Sequence, residues 1–253
     1  MSEGANLAQA VIVLGMHRTG TSVLTRALAA LGVHLGTHLM GGKEDNPKGF
    51  FEDQDVNDLT EEILEAMHCG WDSLLVPQMS QELLEHFLTR AVNLIRQHFG
   101  DFSWWGLKDP RITRLLPFWQ KVLSEAGVHP VYILANRHPL SVAASLEKRN
   151  DMPRGHALGL WVLYQAAGLE TLLLNGGLVV DFDFMVQEPE TQLRRLSAFL
   201  GLNFEPSNSE ILVFLNEFLD HSLRHWRYTH DQSDIEIGEL GTICRALYLH
   251  LRD

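Results

Sequence analysis

The chain has 253 residues, of which 45% are hydrophobic and 21% charged, values typical of soluble globular proteins rather than of disordered or fibrous chains. Asp and Glu number 32 against 20 Lys and Arg, and the formal net charge of −12 argues against general electrostatic binding of nucleic acid or of an anionic membrane. In so acidic a chain, a bound anion requires a local cluster of basic residues.

From the length of the chain we expect a flexible N-terminal tail at residues 1–10 and a single domain over residues 11–253.

The cysteines and the apolar runs of the sequence indicate the cellular compartment of the protein. Cys69 and Cys244 lie far apart in sequence, which fits a reducing compartment and forms neither a disulfide framework nor a zinc pattern. There is no run of about 18 apolar residues, and the start MSEGANLAQA lacks the basic and apolar segments of a signal peptide. The sequence predicts a cytoplasmic protein without a transmembrane segment.

The first predicted elements are a strand, a tight loop and a helix. The apolar run at residues 11–14 is short, is mostly β-branched and ends at Gly15, as is typical of a buried parallel strand. From Thr21 onward apolar residues recur at helical spacing, and Gly32 is predicted to end this helix.

Strands and helices are predicted to alternate along the rest of the chain. Further strands are expected at residues 104–107, 131–135 and 178–180. Helical patterns run through residues 56–67, 84–95, 139–150, 154–175 and 189–200. This order predicts a P-loop-type α/β domain, a mostly parallel sheet with helices on both faces. The irregular, glycine-rich residues 35–51 are expected to cover a site.

The segment GMHRTGTS at residues 15–22 fits the G-x-x-x-x-G frame of a phosphate-binding loop, between a strand and a helix. Its glycines let backbone N–H groups converge on an anion, and the helix N-terminus adds partial positive charge. Thr21, however, occupies the position of the lysine that reaches the β and γ phosphates in nucleoside triphosphatases. The nearest cation is Arg18, so we expect a terminal anionic group to be held differently from ATP.

Basic residues follow each of the first three predicted strands. The predicted strand ends carry Arg18, Lys108 with Arg111, and Arg137. Because ligands of doubly wound sheets bind outside the carboxyl ends of the strands, these side chains predict an anion pocket. Ser145 and Arg149 lie four residues apart on the next helix, so both face the same way and can share one phosphate.

These motifs resemble those of the sulfotransferases that use 3′-phosphoadenylyl sulfate (PAPS). The match to that family's 5′-phosphosulfate loop is Arg18-Thr19-Gly20-Thr21-Ser22. The match to its 3′-phosphate site is Arg137 with Ser145 and Arg149. Lys108-Asp109-Pro110 is similar to a segment of tyrosylprotein sulfotransferases, in which the loop cation is also arginine. The resemblance covers residues 11–202 and is greatest to bacterial sulfotransferase-like proteins.

The resemblance implies PAPS as co-substrate and no metal. It assigns the 5′-phosphosulfate to Arg18 and the amides of residues 19–22, the sulfuryl group to Lys108, and the 3′-phosphate to Arg137 with its two helix partners. A late basic segment often contacts the nucleotide in this family, and here it contains Arg224 and Arg227. A surface turn explains those two arginines equally well.

The general base departs from the usual pattern. Pro110 stands where cytosolic sulfotransferases have their catalytic histidine. In tyrosylprotein and some bacterial sulfotransferases a glutamate after the first helix takes that role, and the similar segment KGFFE here ends at Glu52. Asp53 and Asp55 are alternatives, and Glu52 and Asp53 can also be read simply as caps of the following helix.

Two other functions are compatible with the sequence. One is a P-loop small-molecule kinase that uses ATP and Mg²⁺, against which Thr21 argues. The other is a nucleotide-binding regulatory protein without catalytic activity, which Pro110 keeps open. The sequence identifies neither the class of the acceptor nor the oligomeric state.

Overall fold

The computed structural model describes residues 8–42, 49–219 and 238–252. The strands are β1 (Gln9–Leu14), β2 (Trp104–Lys108), β3 (His129–Asn136) and β4 (Leu178–Asp181). The helices are α1 (Thr21–Ala30), α2 (Gln54–Ala66), α3 (Gln81–Phe99), α4 (Leu116–Ala126), α5 (Pro139–Asn150), α6 (Arg154–Asn175), α7 (Phe182–Gln187), α8 (Pro189–Leu200), α9 (Ser209–Val213) and α10 (Gly238–Arg252). A 3₁₀ helix spans Pro110–Arg114, and a π-helical turn spans Phe214–Phe218.

The predicted strands are all present, with somewhat different ends. β1 begins at Gln9 and therefore takes in the last residues of the segment expected to be a tail. The expected bounds of α5, α6 and α8 are confirmed. α5 and α8 each start with a proline at their first position, which has no amide hydrogen to satisfy.

The sheet is parallel, with the strand order β2-β1-β3-β4. Alternate residues of β1 face opposite sides. Ala10, Ile12 and Leu14 pack into a core with residues from α2, α3 and α4. Val11 and Val13 pack into a second core with residues from α1, α7 and α8. The predicted α/β architecture with helices on both faces is confirmed.

The strand order places a crevice at the carboxyl end of β1. From β1 the chain passes to β2 on one side and later to β3 on the other side. The helices that follow these strands therefore diverge, and this is the point at which open parallel sheets bind ligands. The loop at residues 15–22, between β1 and α1, lies at this edge.

α6 is long and apolar enough to cross a membrane by length and composition alone. In the structure it packs on the sheet. The buried side chain of Gln165 donates to the carbonyl of Ala135, and Trp161 Nε1 donates to the carbonyl of Arg137. A Cβ atom at Gly168 would come within 2.6 Å of the Leu134 side chain, so glycine permits close packing on β3. These contacts identify α6 as a core helix.

Candidate functional site

The loop at residues 15–22 is held in shape by its own hydrogen bonds and by its glycines. The amide of Gly15 donates to Thr113 Oγ1 at 3.0 Å, and the hydroxyl of Thr19 donates to the carbonyl of Met16 at 2.7 Å. Gly20 has φ 94° and precedes α1 without a capping side chain. Because glycine has no side chain, residue 20 cannot cap the first amides of α1. Amides that are not capped at a helix start suit the binding of an anion.

Arg18 links this loop to the middle of α5 and to the residue that follows β3. Its Nε donates to Ser145 Oγ at 2.9 Å, and its carbonyl oxygen accepts from Arg137 Nη1 at 3.2 Å. The Arg137 guanidinium also lies 4.3 Å from the centre of the Phe182 ring. The structure thus brings together residues of the two motifs that the sequence matched to the 5′- and 3′-phosphate sites.

Lys108 and Glu52 form a buried ion pair. Lys108 Nζ lies 2.5 Å from Glu52 Oε1, and the two side chains are 3% and 7% exposed. The ammonium group also donates to the carbonyl of Phe50 at 3.1 Å. Asn57 Nδ2 donates to the other carboxylate oxygen of Glu52 at 2.7 Å. Burial raises the pKa of Glu52, and the charge of Lys108 opposes that rise.

Asp109 and Pro110 build the turn after β2. Asp109 caps the 3₁₀ helix, accepting from the amide of Arg111 at 2.9 Å, and Pro110 takes its first position. The Arg111 guanidinium donates to Asp109 Oδ2 at 2.8 Å and also contacts Glu61. Arg111, which the sequence placed among the cations of the anion pocket, is therefore already neutralised by two carboxylates.

The alternative bases, Asp53 and Asp55, turn away from Lys108. Asp53 Oδ1 accepts from the amides of Asp55 and Val56, so Asp53 is the N-cap of α2, while its Oδ2 lies 3.0 Å from His98 Nδ1. Asp55 Oδ2 lies 2.9 Å from His38 Nδ1. The capping interpretation therefore holds for Asp53, whereas the Glu52 side chain pairs with Lys108.

A cavity of about 420 Å³ opens beside this ion pair. It is lined by His17, Met40, Phe50, Glu52, Asn57, Trp71, Arg111, Arg149 and Asn150. Met40 and Phe50 belong to the irregular segment that was expected to cover a site. His17, Asn57 and Trp71 were missed by the sequence analysis. The position of His17 inside the phosphate-loop motif was the one available signal.

Arg149 lines this cavity, one helical turn beyond Ser145. Its Nε donates to Asn150 Oδ1 at 2.7 Å, and its guanidinium lies 5.7 Å from the centre of the Trp71 ring. Ser145, by contrast, accepts from Arg18. Arg224, Arg227 and the Lys48 of the KGFFE segment lie outside the residues that the structure describes.

Comparison with known proteins agrees with this architecture. The model of the sulfotransferase family matches residues 10–206, most of the chain. No curated protein sequence matches. The sulfotransferase domain of the olefin synthase from Synechococcus PCC 7002 is 18% identical, with a TM-score of 0.53 over 100% of this chain and 90% of that chain. Sulfotransferase STF9 from Mycobacterium avium is 16% identical, with a TM-score of 0.49 over 88% of this chain and 70% of that one.

Proposed function

Because the chain belongs to the sulfotransferase family, we propose that it transfers a sulfuryl group from PAPS to a hydroxyl or amine of an acceptor. The observation that carries this proposal is the convergence of Arg18, Lys108 and Arg137 on one crevice of a chain whose net charge is −12. A donor with a 5′-phosphosulfate and a 3′-phosphate needs cations at two separate points of the same crevice.

The donor is assigned to residues at the ends of β1 and β3. Arg18 and the amides of residues 19–22 hold the 5′-phosphosulfate, and Arg137 with Ser145 holds the 3′-phosphate. The hydrogen bond from Arg18 to Ser145 supports this assignment, since it joins the groups meant for the two anions. Arg149 is assigned to the 3′-phosphate as well, although it also borders the cavity beside Glu52.

The proposed reaction is an in-line displacement at sulfur that Lys108 and Glu52 assist. The acceptor oxygen forms a bond to sulfur while the bond from sulfur to the bridging oxygen breaks, leaving adenosine 3′,5′-bisphosphate. Lys108 stabilises the charge that develops on the sulfuryl and bridging oxygens. Glu52 takes the proton of the acceptor hydroxyl, a role favoured by a raised pKa. None of these steps requires a metal.

The experiment is a calorimetric titration of the purified protein with adenosine 3′,5′-bisphosphate, followed by ATP with Mg²⁺. We expect metal-independent bisphosphate binding that Arg137→Ala weakens by at least about tenfold, because a charged hydrogen bond to phosphate is lost. Arg90→Ala is the control, since Arg90 is 54% exposed and pairs with Glu62 on the surface.

Two outcomes would contradict the proposal. Binding of ATP only with Mg²⁺, without bisphosphate binding, would favour the kinase. Bisphosphate binding without PAPS consumption, in the presence of a broad set of hydroxyl and amine compounds, would favour the regulatory protein.

We also propose that the protein is cytoplasmic, and its two cysteines support this location. Both Cys69 and Cys244 are free thiols, as expected in a reducing compartment. Burial raises the pKa of Cys244 to about 12, so that thiol is protonated and unreactive at neutral pH.

A further inference from the structure

His17 has a buried nitrogen without a partner. Within the part of the chain that the structure describes, His17 Nε2 is shielded from solvent and makes no hydrogen bond. Its ring packs against Trp71, with the ring centres 4.5 Å apart, and lies edge-on to Tyr164 at 6.4 Å. An unsatisfied buried nitrogen costs free energy unless a ligand supplies the missing partner.

The environment of His17 keeps its imidazole neutral. Burial lowers the pKa of His17 well below 6.5, and the nearby charges of Arg149 and Lys108 lower it further. A neutral imidazole is a hydrogen-bonding group that adds no positive charge beside Lys108. This chemistry suits contact with an uncharged hydroxyl.

His17 lines the 420 Å³ cavity together with Glu52. Several polar groups around that cavity are already engaged. The Asn57 amide donates to Glu52, Asn150 accepts from Arg149, and Arg111 pairs with Asp109. Phe50, Trp71 and Met40 form the apolar part of the lining. Such a lining fits one hydroxyl on an apolar ring better than a compound with many hydroxyls.

We propose that His17 is an acceptor-binding residue whose Nε2 hydrogen-bonds the hydroxyl of a phenol-like acceptor, held against Trp71 within reach of Glu52. This inference rests on the proposed function, because it assumes that Glu52 and Lys108 perform sulfuryl transfer. On this proposal, the loop at residues 15–22 contacts the acceptor through His17 and also holds the donor.

The test measures transfer from ³⁵S-labelled PAPS to 4-methylphenol, with methyl glucoside as the many-hydroxyl comparison. Wild type, His17→Gln and His17→Phe are compared, since glutamine places an amide near the position of Nε2 whereas phenylalanine keeps only the ring. We expect His17→Phe to raise the KM for 4-methylphenol by at least about tenfold, the effect of one lost hydrogen bond to a buried group. His17→Gln should recover most of that loss. Calorimetric affinity for adenosine 3′,5′-bisphosphate should be unchanged in both variants, which also shows that they fold.

Three results would overturn the inference while leaving the proposed function standing. They are an unchanged KM in His17→Phe, transfer to the glucoside but not to the phenol, and transfer to neither compound by a wild type that binds bisphosphate. A wild type that does not bind the bisphosphate would instead refute the proposed function, and this inference with it.

Discussion

At the scale of single residues, the buried pair of Lys108 and Glu52 is the contact on which both the proposed chemistry and local stability depend. Each side chain is almost fully shielded from water, and each has the other as its counter-charge at 2.5 Å. The carbonyl of Phe50 and the amide of Asn57 supply further hydrogen bonds. Removing one partner would leave a buried charge without compensation, which costs more than the pair itself contributes.

We expect Lys108→Met to lower the free energy of unfolding by about 3 kcal/mol at pH 7.5, because Glu52 must then be buried as an unpaired carboxylate or take up a proton. The double variant Lys108→Met/Glu52→Gln should recover most of this loss, since neither charge remains. Urea unfolding followed by circular dichroism measures both effects. Lys121→Met is the control, and we expect it to change stability by less than about 0.5 kcal/mol because the Lys121–Glu125 pair is exposed. A double variant as unstable as Lys108→Met would show that the unpaired charge is not the cause.

At the scale of elements, the loop at residues 15–22 depends on the junction of β4 and α7. A Cβ atom built at Gly20 would lie 2.5 Å from Phe182 Cδ2, and Gly20 has φ 94°. The same Phe182 ring lies under the Arg137 guanidinium at 4.3 Å. Close packing of the loop on Phe182 therefore positions the start of α1 next to a cation of the proposed donor site.

Gly20→Ala tests this packing, with Gly32→Ala as its control. Both glycines have positive φ, but no atom lies within 4 Å of a Cβ built at Gly32. Gly32→Ala should show only the backbone cost of about 1 kcal/mol, and Gly20→Ala should lose roughly 2 kcal/mol more because the loop must move away from Phe182. Thermal or urea unfolding measures the difference. Equal losses at the two sites would argue against the close contact.

At the scale of the whole molecule, the chain has an excess of acidic residues, whereas several cations meet in the proposed donor crevice. The chain carries 32 acidic and 20 basic residues, yet Arg18, Lys108 and Arg137 meet at one edge of the sheet. Asp181, at the end of β4, is a buried acidic residue. Burial raises its pKa to about 6, and neighbouring Asp183 adds to the rise.

This shift predicts a pH dependence of stability. Between pH 3.8 and about 6 the folded chain keeps a proton on Asp181 that the unfolded chain releases. The contribution of Asp181 to the free energy of unfolding should therefore fall as pH rises through this window and stay constant above it. Asp181→Asn retains a residue that caps helices well. Asn136 Nδ2 donates to Asp181 Oδ2 at 3.3 Å in the wild type, so in the variant the Asn136 amide must turn over for its unsatisfied Oδ1 to accept from the new amide.

Urea unfolding of wild type and Asp181→Asn from pH 4 to 7.5 checks this expectation. The variant should gain stability relative to wild type as pH rises from 4 to about 6, with no further relative change above that value. A difference between the two proteins that is independent of pH would contradict the raised pKa.

Local patterns in the sequence were sufficient to predict the four strands and the helices α1, α2, α3, α5, α6 and α8, and to group residues of the proposed donor crevice, whereas α4, α7, α9 and α10 were not predicted. Apolar residues at helical spacing, with a proline at the start, predicted α5 and α8 to the residue. The rule that ligands bind at the carboxyl ends of parallel strands grouped Arg18, Lys108 and Arg137, because it depends only on strand order and direction. These features follow from periodicity and connectivity, which a single chain displays directly.

The tertiary structure alone decided which charges are already paired. Glu52 and Asp53 are neighbours before α2, and no spacing separates their roles, yet one pairs with Lys108 and the other caps the helix. Arg111 is neutralised by Asp109 and Glu61, and the cavity beside His17 needs Trp71 from a distant turn. Contacts between such distant residues depend on how helices pack over the sheet, which local sequence patterns do not encode.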